Sequence, residues 1–123
     1  MKALVVDDSR AMRVLLGRML QEIGFDVSEA SHGREALERL KEIGGIELAL
    51  VDWNMPEMDG FEFIRAVRSD NAWDNLRLMM VTTECGMEAV MDALKAGADD
   101  YIMKPFNKEI IREKLMLLGI EAL

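Results

Sequence analysis

Five short apolar runs alternate with segments of helical periodicity along the chain, and this alternation limits the fold more than any other feature. The runs lie at residues 3–6, 26–30, 47–51, 76–81 and 100–103, and the helical segments at 12–23, 33–43, 61–67, 87–96 and 107–118. Short, mostly continuous apolar runs are typical of parallel strands covered on both faces, and apolar residues three and four apart indicate amphipathic helices. Five such βα units predict an α/β fold, a doubly wound parallel sheet of five strands with helices on both faces.

Residues that commonly begin and end helices support these boundaries. The first helical stripe stops at Gly24, and the fourth is closed by Gly97. Asn107 is predicted to cap the last helix, which runs through Leu118 to Gly119. The single histidine, His32, falls in a turn after the second strand, where we expect a solvated side chain.

Composition narrows the classes of protein to which the chain can belong. Its 123 residues are half apolar and carry a net charge of −8, which predicts one compact domain over residues 1–123. An acidic balance argues against binding to nucleic acid or to a membrane surface, both of which favour a basic face. No apolar run reaches the length of a membrane span and no signal peptide is apparent. One cysteine, Cys85, excludes an internal disulfide, so we expect a cytoplasmic protein.

Polar side chains follow four of the five predicted strands. Asp7 and Asp8 follow the first strand, Asp52 the third, Thr82 the fourth and Lys104 the fifth. In open parallel sheets, ligands bind beyond the carboxyl ends of the strands, where the strand order reverses. If the first strand is central, three carboxylates, one hydroxyl and one ammonium meet in a single crevice.

Taken one at a time, these residues have simpler explanations. Asp8 or Ser9 would also serve as the cap of the first helix, and a lysine such as Lys104 is usually solvated. Three carboxylates in one crevice, however, repel one another, so they either raise a pKa or bind a cation. Oxygen ligands without histidine or cysteine suit a hard divalent ion, and Mg2+ is the predicted cofactor, with Mn2+ as the alternative.

A carboxylate beside a magnesium ion is suited to accepting a phosphoryl group as an aspartyl phosphate. Asp52 is the predicted nucleophile because it stands alone at its strand end, whereas Asp7 and Asp8 are adjacent and share the metal. Asn54, two residues further on, is positioned to donate its backbone carbonyl to the ion. Two more side chains are predicted to donate to the phosphoryl oxygens: Lys104 and Thr82.

The stretches "LVVDDS", "DWNMPEMDG", "MVTTE" and "AGADDYIMKPF" together resemble the CheY-like receiver domains of response regulators over the whole chain. The resemblance implies a flavodoxin-like sheet with strand order 2-1-3-4-5. It also assigns the roles just described: Asp52 as the phosphoacceptor, Asp7, Asp8 and Asn54 at the metal, and Lys104 and Thr82 at the phosphoryl group.

Further roles come from the resemblance alone. Tyr101 matches an aromatic residue that turns inward when the Thr82 hydroxyl moves toward the phosphoryl group. Asn54 and Glu84 match positions that tune autodephosphorylation, and the Lys104–Pro105 peptide bond is expected to be cis. The output surface is the face formed by the fourth helix, fifth strand and fifth helix, on which Val90 and Leu94 are expected to be partly exposed.

The function implied is that of a stand-alone response regulator of a two-component phosphorelay, in a chemotaxis pathway. A histidine kinase would be the phosphodonor and a protein target would read the phosphorylated form, which is expected to be a monomer or a weak phosphorylation-dependent dimer. Such a protein is not an enzyme, beyond assisting its own phosphorylation and dephosphorylation.

Two other functions remain open at this point. A receiver domain of a DNA-binding regulator would have the same motifs, but a linker would follow its last helix, and the chain ends four residues after Gly119. A phosphatase or phosphotransferase with an aspartyl nucleophile usually has a second acid two residues after the nucleophile, and here Asn54 occupies that position.

Overall fold

A computed structural model describes residues 1–53, 60–82 and 87–120. The strands are β1 (Lys2–Val6), β2 (Asp26–Ala30), β3 (Ile46–Asp52), β4 (Arg77–Thr82) and β5 (Asp100–Met103). The helices are α1 (Arg10–Ile23), α2 (Gly33–Ile43), α3 (Gly60–Arg68), α4 (Met87–Ala96) and α5 (Lys108–Leu117), with a short 3-10 helix at Asn71–Trp73. The strands form one parallel sheet in the order β2-β1-β3-β4-β5, so the predicted fold and strand order are confirmed.

The sheet separates two apolar cores because neighbouring residues of a strand point to opposite faces. Leu50 and Val81 face α1 and α5, whereas Val51 and Met80 face α2, α3 and α4. Both cores are fully enclosed at the centre of the sheet, where β1, β3 and β4 carry continuous apolar runs. The carboxyl ends of these central strands are therefore held by tight packing on both sides.

The helix caps agree in part with the sequence. Asn107 caps α5 as predicted, its Oδ1 accepting a hydrogen bond of 2.9 Å from the Ile110 amide. Ser9 caps α1, which leaves the Asp8 carboxylate available for the crevice. His32 caps α2 through Nδ1, which accepts from the Glu35 amide, so the expectation of a solvated histidine missed its structural role.

Arg68, at the end of α3, forms hydrogen bonds with the segment before β4 and with the segment between α4 and β5. Its guanidinium donates to the carbonyls of Trp73, Leu76 and Gly97 and to the Asp99 carboxylate. Gly97 has a positive φ of 122°, and a Cβ there would lie 2.4 Å from Arg68 Cγ, so only glycine fits beside this side chain.

Among the described residues, no helix is both long and apolar enough to cross a membrane.

Candidate functional site

Three carboxylates lie together at the carboxyl edge of the sheet. Asp7 and Asp8 directly follow β1, and Asp52 is the last residue of the neighbouring strand β3. One carboxylate oxygen from each residue lies within 4.8 Å of the others. Asp7 is buried, Asp52 is partly buried and Asp8 is exposed, so the cluster opens to solvent on the side of Asp8. The structure thus brings together the three acids that the sequence analysis placed in one crevice.

One carboxylate oxygen of Asp7 has no hydrogen-bond partner among the residues that the structure describes. Its amide donates to the Ala30 carbonyl (3.1 Å), its carbonyl accepts from Arg13 (2.6 Å), and its Oδ1 accepts from the Ser9 amide (2.8 Å). The remaining oxygen, Oδ2, is buried and has no such partner. A buried, unpaired oxygen beside two other carboxylates fits a bound cation, because hard divalent ions take oxygen ligands of this kind.

The pKa of Asp7 is raised above its usual value, first because burial disfavours the charged form. The neighbouring Asp8 raises it further, while the Ser9 amide and the positive charge of Lys104 act in the opposite direction. The folded chain therefore holds a proton on Asp7 more tightly than the unfolded chain does. Stability from this group is present below the unfolded-state pKa and is lost as the pH rises through the folded-state pKa.

We expect Asp7→Asn to raise the free energy of unfolding at pH 7 without divalent cations, by about 1–3 kcal/mol. The amide carries no charge, keeps an oxygen for the Ser9 amide and offers a donor to the nearby carboxylates. Urea unfolding with EDTA measures the effect, and the difference from the parent protein should shrink as the pH falls through the raised pKa. Asp26→Asn, at an exposed acid where β2 begins, is the matched control and should change stability little; a less stable Asp7→Asn protein would contradict the prediction.

The predicted hydroxyl and ammonium groups are at the same edge of the sheet. Lys104 Nζ lies 3.9 Å from Asp52 Oδ1, and the amide of Lys104 donates to the Thr82 carbonyl at 2.9 Å. Thr82 is the last residue of β4, one residue later than the predicted strand end, and is 6% exposed. The Lys104–Pro105 peptide bond is cis, as the resemblance implied. The ends of β1, β3, β4 and β5 therefore supply all five converging side chains.

A second feature links this crevice to the surface of α4, β5 and α5. A cavity of about 10 Å3 is lined by Trp53, Met80, Thr82, Val90, Ala93 and Tyr101. Lys114 Nζ lies 4.5 Å from the centre of the Tyr101 ring and 3.2 Å from Asp100 Oδ1. Tyr101 thus lines a small apolar cavity together with Thr82, and its ring also contacts the Lys114 ammonium on α5.

Four other predicted residues have different outcomes. Asn54 and Glu84 are outside the described residues, so the structure says nothing of them. Leu94 is 38% exposed, as expected for the output surface, but the expected partial exposure of Val90 is wrong, since it is 7% exposed. Val90 faces inward, where it lines the small cavity together with Met80 and Tyr101.

Two residues that support the site were missed by sequence reasoning. A Cβ on Gly60 would lie 2.8 Å from the Asp52 carbonyl oxygen and 2.9 Å from Met80 Cε, so glycine lets α3 begin against the backbone of Asp52. Arg13 donates to the Asp7 carbonyl. The available signal was its position in the first turn of a helix, where side chains tilt back toward the N-terminus.

The chain is similar in sequence and in fold to known proteins. The chain matches the response regulator receiver domain family over residues 3–116. It is 46% identical over 121 residues to the chemotaxis protein CheY1 of Helicobacter pylori, covering 97% of this chain and 98% of that protein. It is 45% identical over 116 residues to a chemotaxis protein CheY homolog of Campylobacter jejuni, covering 94% and 89%. Among solved structures, the chemotaxis response regulator CheY4 of Vibrio cholerae superposes with a TM-score of 0.87 at 36% identity, covering 95% of this chain and 97% of that one.

Proposed function

Because the chain belongs to the response regulator receiver domain family, we propose that it is a phosphorylation-switched signalling protein with Asp52 as its phosphoacceptor. The observation that carries the proposal is the setting of Asp52. This acid ends a buried strand, lies beside the carboxylates of Asp7 and Asp8, and has the Lys104 ammonium 3.9 Å away. A rigidly held carboxylate with a cation on one side and a cation site on the other is suited to attack phosphorus.

Asp7, Asp8 and Asp52 are the proposed ligands of a magnesium ion, for which Mn2+ is an alternative. The unpaired Asp7 oxygen and the all-oxygen donor set support this choice. The backbone carbonyl of Asn54 is proposed as a further ligand and lies outside the described residues. When bound, the ion supplies positive charge that offsets the repulsion between the carboxylates and the incoming phosphoryl oxygens.

The chain's own residues then perform the transfer. A carboxylate oxygen of Asp52 attacks phosphorus, forming the O–P bond of the aspartyl phosphate, while the bond to the donor's leaving group breaks and the leaving group takes the electron pair. Lys104 donates a charge-assisted hydrogen bond to a phosphoryl oxygen, and the hydroxyl of Thr82 donates a neutral one. We propose no catalytic activity beyond the protein's own phosphorylation and dephosphorylation, in which Asn54 and Glu84 are the proposed tuning residues.

The proposed pathway is chemotaxis, with a histidine kinase as the phosphodonor and a protein as the target. The relatives named for chemotaxis support this, and this chain covers 98% and 89% of their lengths. We propose a receiver domain over residues 1–123 that acts in the cytoplasm without a second domain, like these relatives, which are about as long as one receiver domain. A receiver domain of a DNA-binding regulator is the less favoured alternative.

The phosphoryl group is proposed to act on the target through the cavity beneath Tyr101. Movement of the Thr82 hydroxyl toward the phosphoryl group would enlarge that cavity, and the Tyr101 ring would fill it. Such a movement would withdraw the ring from Lys114 and change the exposed surface of α4, β5 and α5. The mechanism is a population shift, since phosphorylation favours the arrangement to which the phosphoryl oxygens bind better.

Phosphorylation from a small-molecule donor tests the proposed function. Incubating the protein with acetyl phosphate and MgCl2 should add the mass of one phosphoryl group, and hydroxylamine should remove it, as expected for an acyl phosphate. Omitting the metal should prevent the reaction. Absence of any added mass, or a product that resists hydroxylamine, would refute the proposal.

We predict that Thr82→Ala still accepts the phosphoryl group but does not undergo the conformational change at Tyr101 and the output surface. In the unchanged protein, beryllofluoride with Mg2+, which mimics the phosphoryl group, should shift amide resonances from Asp52 through Val90 to Tyr101. In Thr82→Ala the shifts should stay near Asp52, whereas Thr82→Ser, which keeps the hydroxyl, should behave like the parent. A coupling of roughly 1–3 kcal/mol corresponds to a change of about 5–150-fold in target affinity. Shifts that reach Tyr101 in Thr82→Ala would rule out this route.

A further inference from the structure

We propose that Arg13 is a positioning residue for the cation site, holding the peptide that carries Asp7 and Asp8 in the geometry that the ion needs. The inference deepens the proposed function and rests on it. In this role Arg13 is not a ligand of the ion and acts through the main chain of Asp7, to which it donates a hydrogen bond.

The contacts of Arg13 join the site to the edge of the sheet. One guanidinium nitrogen donates to the Asp7 carbonyl at 2.6 Å, and Nε donates to Glu29 Oε1 at 3.0 Å. The Arg13 side chain is 16% exposed, and Glu29, which stands on the edge strand β2, is 48% exposed. A guanidinium keeps its charge at any ordinary pH and has donors in a fixed planar arrangement. A single side chain therefore binds the end of β1 and the neighbouring strand together.

The bond from Arg13 completes the restraint of Asp7. The amide, the carbonyl and Oδ1 of this residue each have a partner, whereas the buried Oδ2 has none within residues 1–53, 60–82 and 87–120 and is available to an ion. Rotation of the Asp7 peptide would move both the Asp7 carboxylate and the following Asp8. Without Arg13, one of these three hydrogen bonds of Asp7 is absent, and it is the one made by the carbonyl of the Asp7–Asp8 peptide. Partners that orient metal ligands in this way affect metal affinity by about 10–100-fold.

Positioning and simple electrostatics have opposite consequences here, which makes the inference testable. A positive charge close to a cation site opposes cation binding, so removing the charge of Arg13 would by itself strengthen Mg2+ binding. Loss of orientation would weaken it. The sign of the change in affinity therefore separates the two effects.

The experiment is a titration of the full chain with MgCl2, followed by tryptophan fluorescence. Trp53 adjoins Asp52, whereas Trp73 stands in the 3-10 helix and provides a constant background. In Arg13→Gln we expect the dissociation constant for Mg2+ to rise about 10–100-fold. Arg13→Lys keeps the charge and can form one of the two hydrogen bonds of Arg13, so its dissociation constant should lie between those of the parent and Arg13→Gln. Arg10→Gln is the matched control, because Arg10 is exposed in the same helical turn; it loses the same charge and should bind Mg2+ as well as the parent or better.

A second measurement separates positioning from general damage to the fold. The rate of phosphorylation by acetyl phosphate in Arg13→Gln should fall at low Mg2+ and recover to the parent value at saturating Mg2+. A rate that stays low at saturating Mg2+ would overturn the inference, as would Arg13→Gln binding Mg2+ as tightly as the parent. If Arg13→Gln does not fold, Arg13→Lys decides, since its affinity should still fall. If the tryptophan fluorescence of the parent protein does not change with Mg2+, the proposed function itself is wrong, and not only the role of Arg13.

Discussion

Asp52→Asn should abolish incorporation of the phosphoryl group from acetyl phosphate. An amide oxygen is a poor nucleophile, and the change also removes the charge that faces Lys104 Nζ at 3.9 Å. Asp7 and Asp8 remain in the crevice, but they follow β1 in consecutive positions and are proposed to hold the ion instead. Intact-protein mass spectrometry should find the full shift in the parent and only background in the variant.

The side chains of Asp and Asn have nearly the same size, so the fold of Asp52→Asn should be retained. Asp26→Asn is a suitable control, because Asp26 is an exposed acid at the opposite end of the sheet, where β2 begins; this variant should be phosphorylated like the parent. Equal labelling of Asp52→Asn, with the phosphoryl group found on Asp7 or Asp8, would contradict the assignment of the nucleophile.

Arg68→Ala should lower the free energy of unfolding by about 3 kcal/mol, the largest loss of stability that we expect from a single side chain outside the apolar cores. Its guanidinium donates at 2.7–3.0 Å to the carbonyls of Trp73, Leu76 and Gly97 and to Asp99 Oδ2. The side chain is only 20% exposed. Truncation leaves three carbonyls partly buried without this donor. It also leaves the Asp99 carboxylate with the Leu78 amide as its remaining described partner.

Urea unfolding of Arg68→Ala and Arg65→Ala tests this role. Arg65 lies one turn earlier on α3, is exposed, and contacts the Phe61 ring at 5.7 Å. Losing that exposed cation–π contact should cost about 0.5–1 kcal/mol. Equal losses in the two variants would show that the hydrogen bonds of Arg68 add little to stability. Arg68→Lys should recover only part of the loss, because an ammonium cannot reproduce the planar set of donors.

Much of the fold could be predicted from local sequence patterns. Strand and helix periodicities, together with residues such as Asn107 and Gly24, define elements whose observed ends differ from the predicted ones by only a few residues. These patterns are local, because each depends on which residues of one segment face the core. The strand order was different: it came from the resemblance, since the same apolar runs would suit other orders of parallel strands.

For the site, the sequence predicted the residues that meet, and the tertiary structure decided how they are held. Acids after neighbouring parallel strands converge wherever those strands pair, so the cluster around Asp52 followed from chain position once β1 was placed beside β3. The sequence alone left open whether Ser9 or Asp8 caps α1 and whether Val90 is buried. Both outcomes depended on distances between segments far apart in the chain. The bond from Arg13 to the Asp7 carbonyl depended on where α1 packs against the sheet. Periodicity describes which side of an element is apolar, but hydrogen bonds require particular atoms about 3 Å apart, and only the packed chain determines those distances.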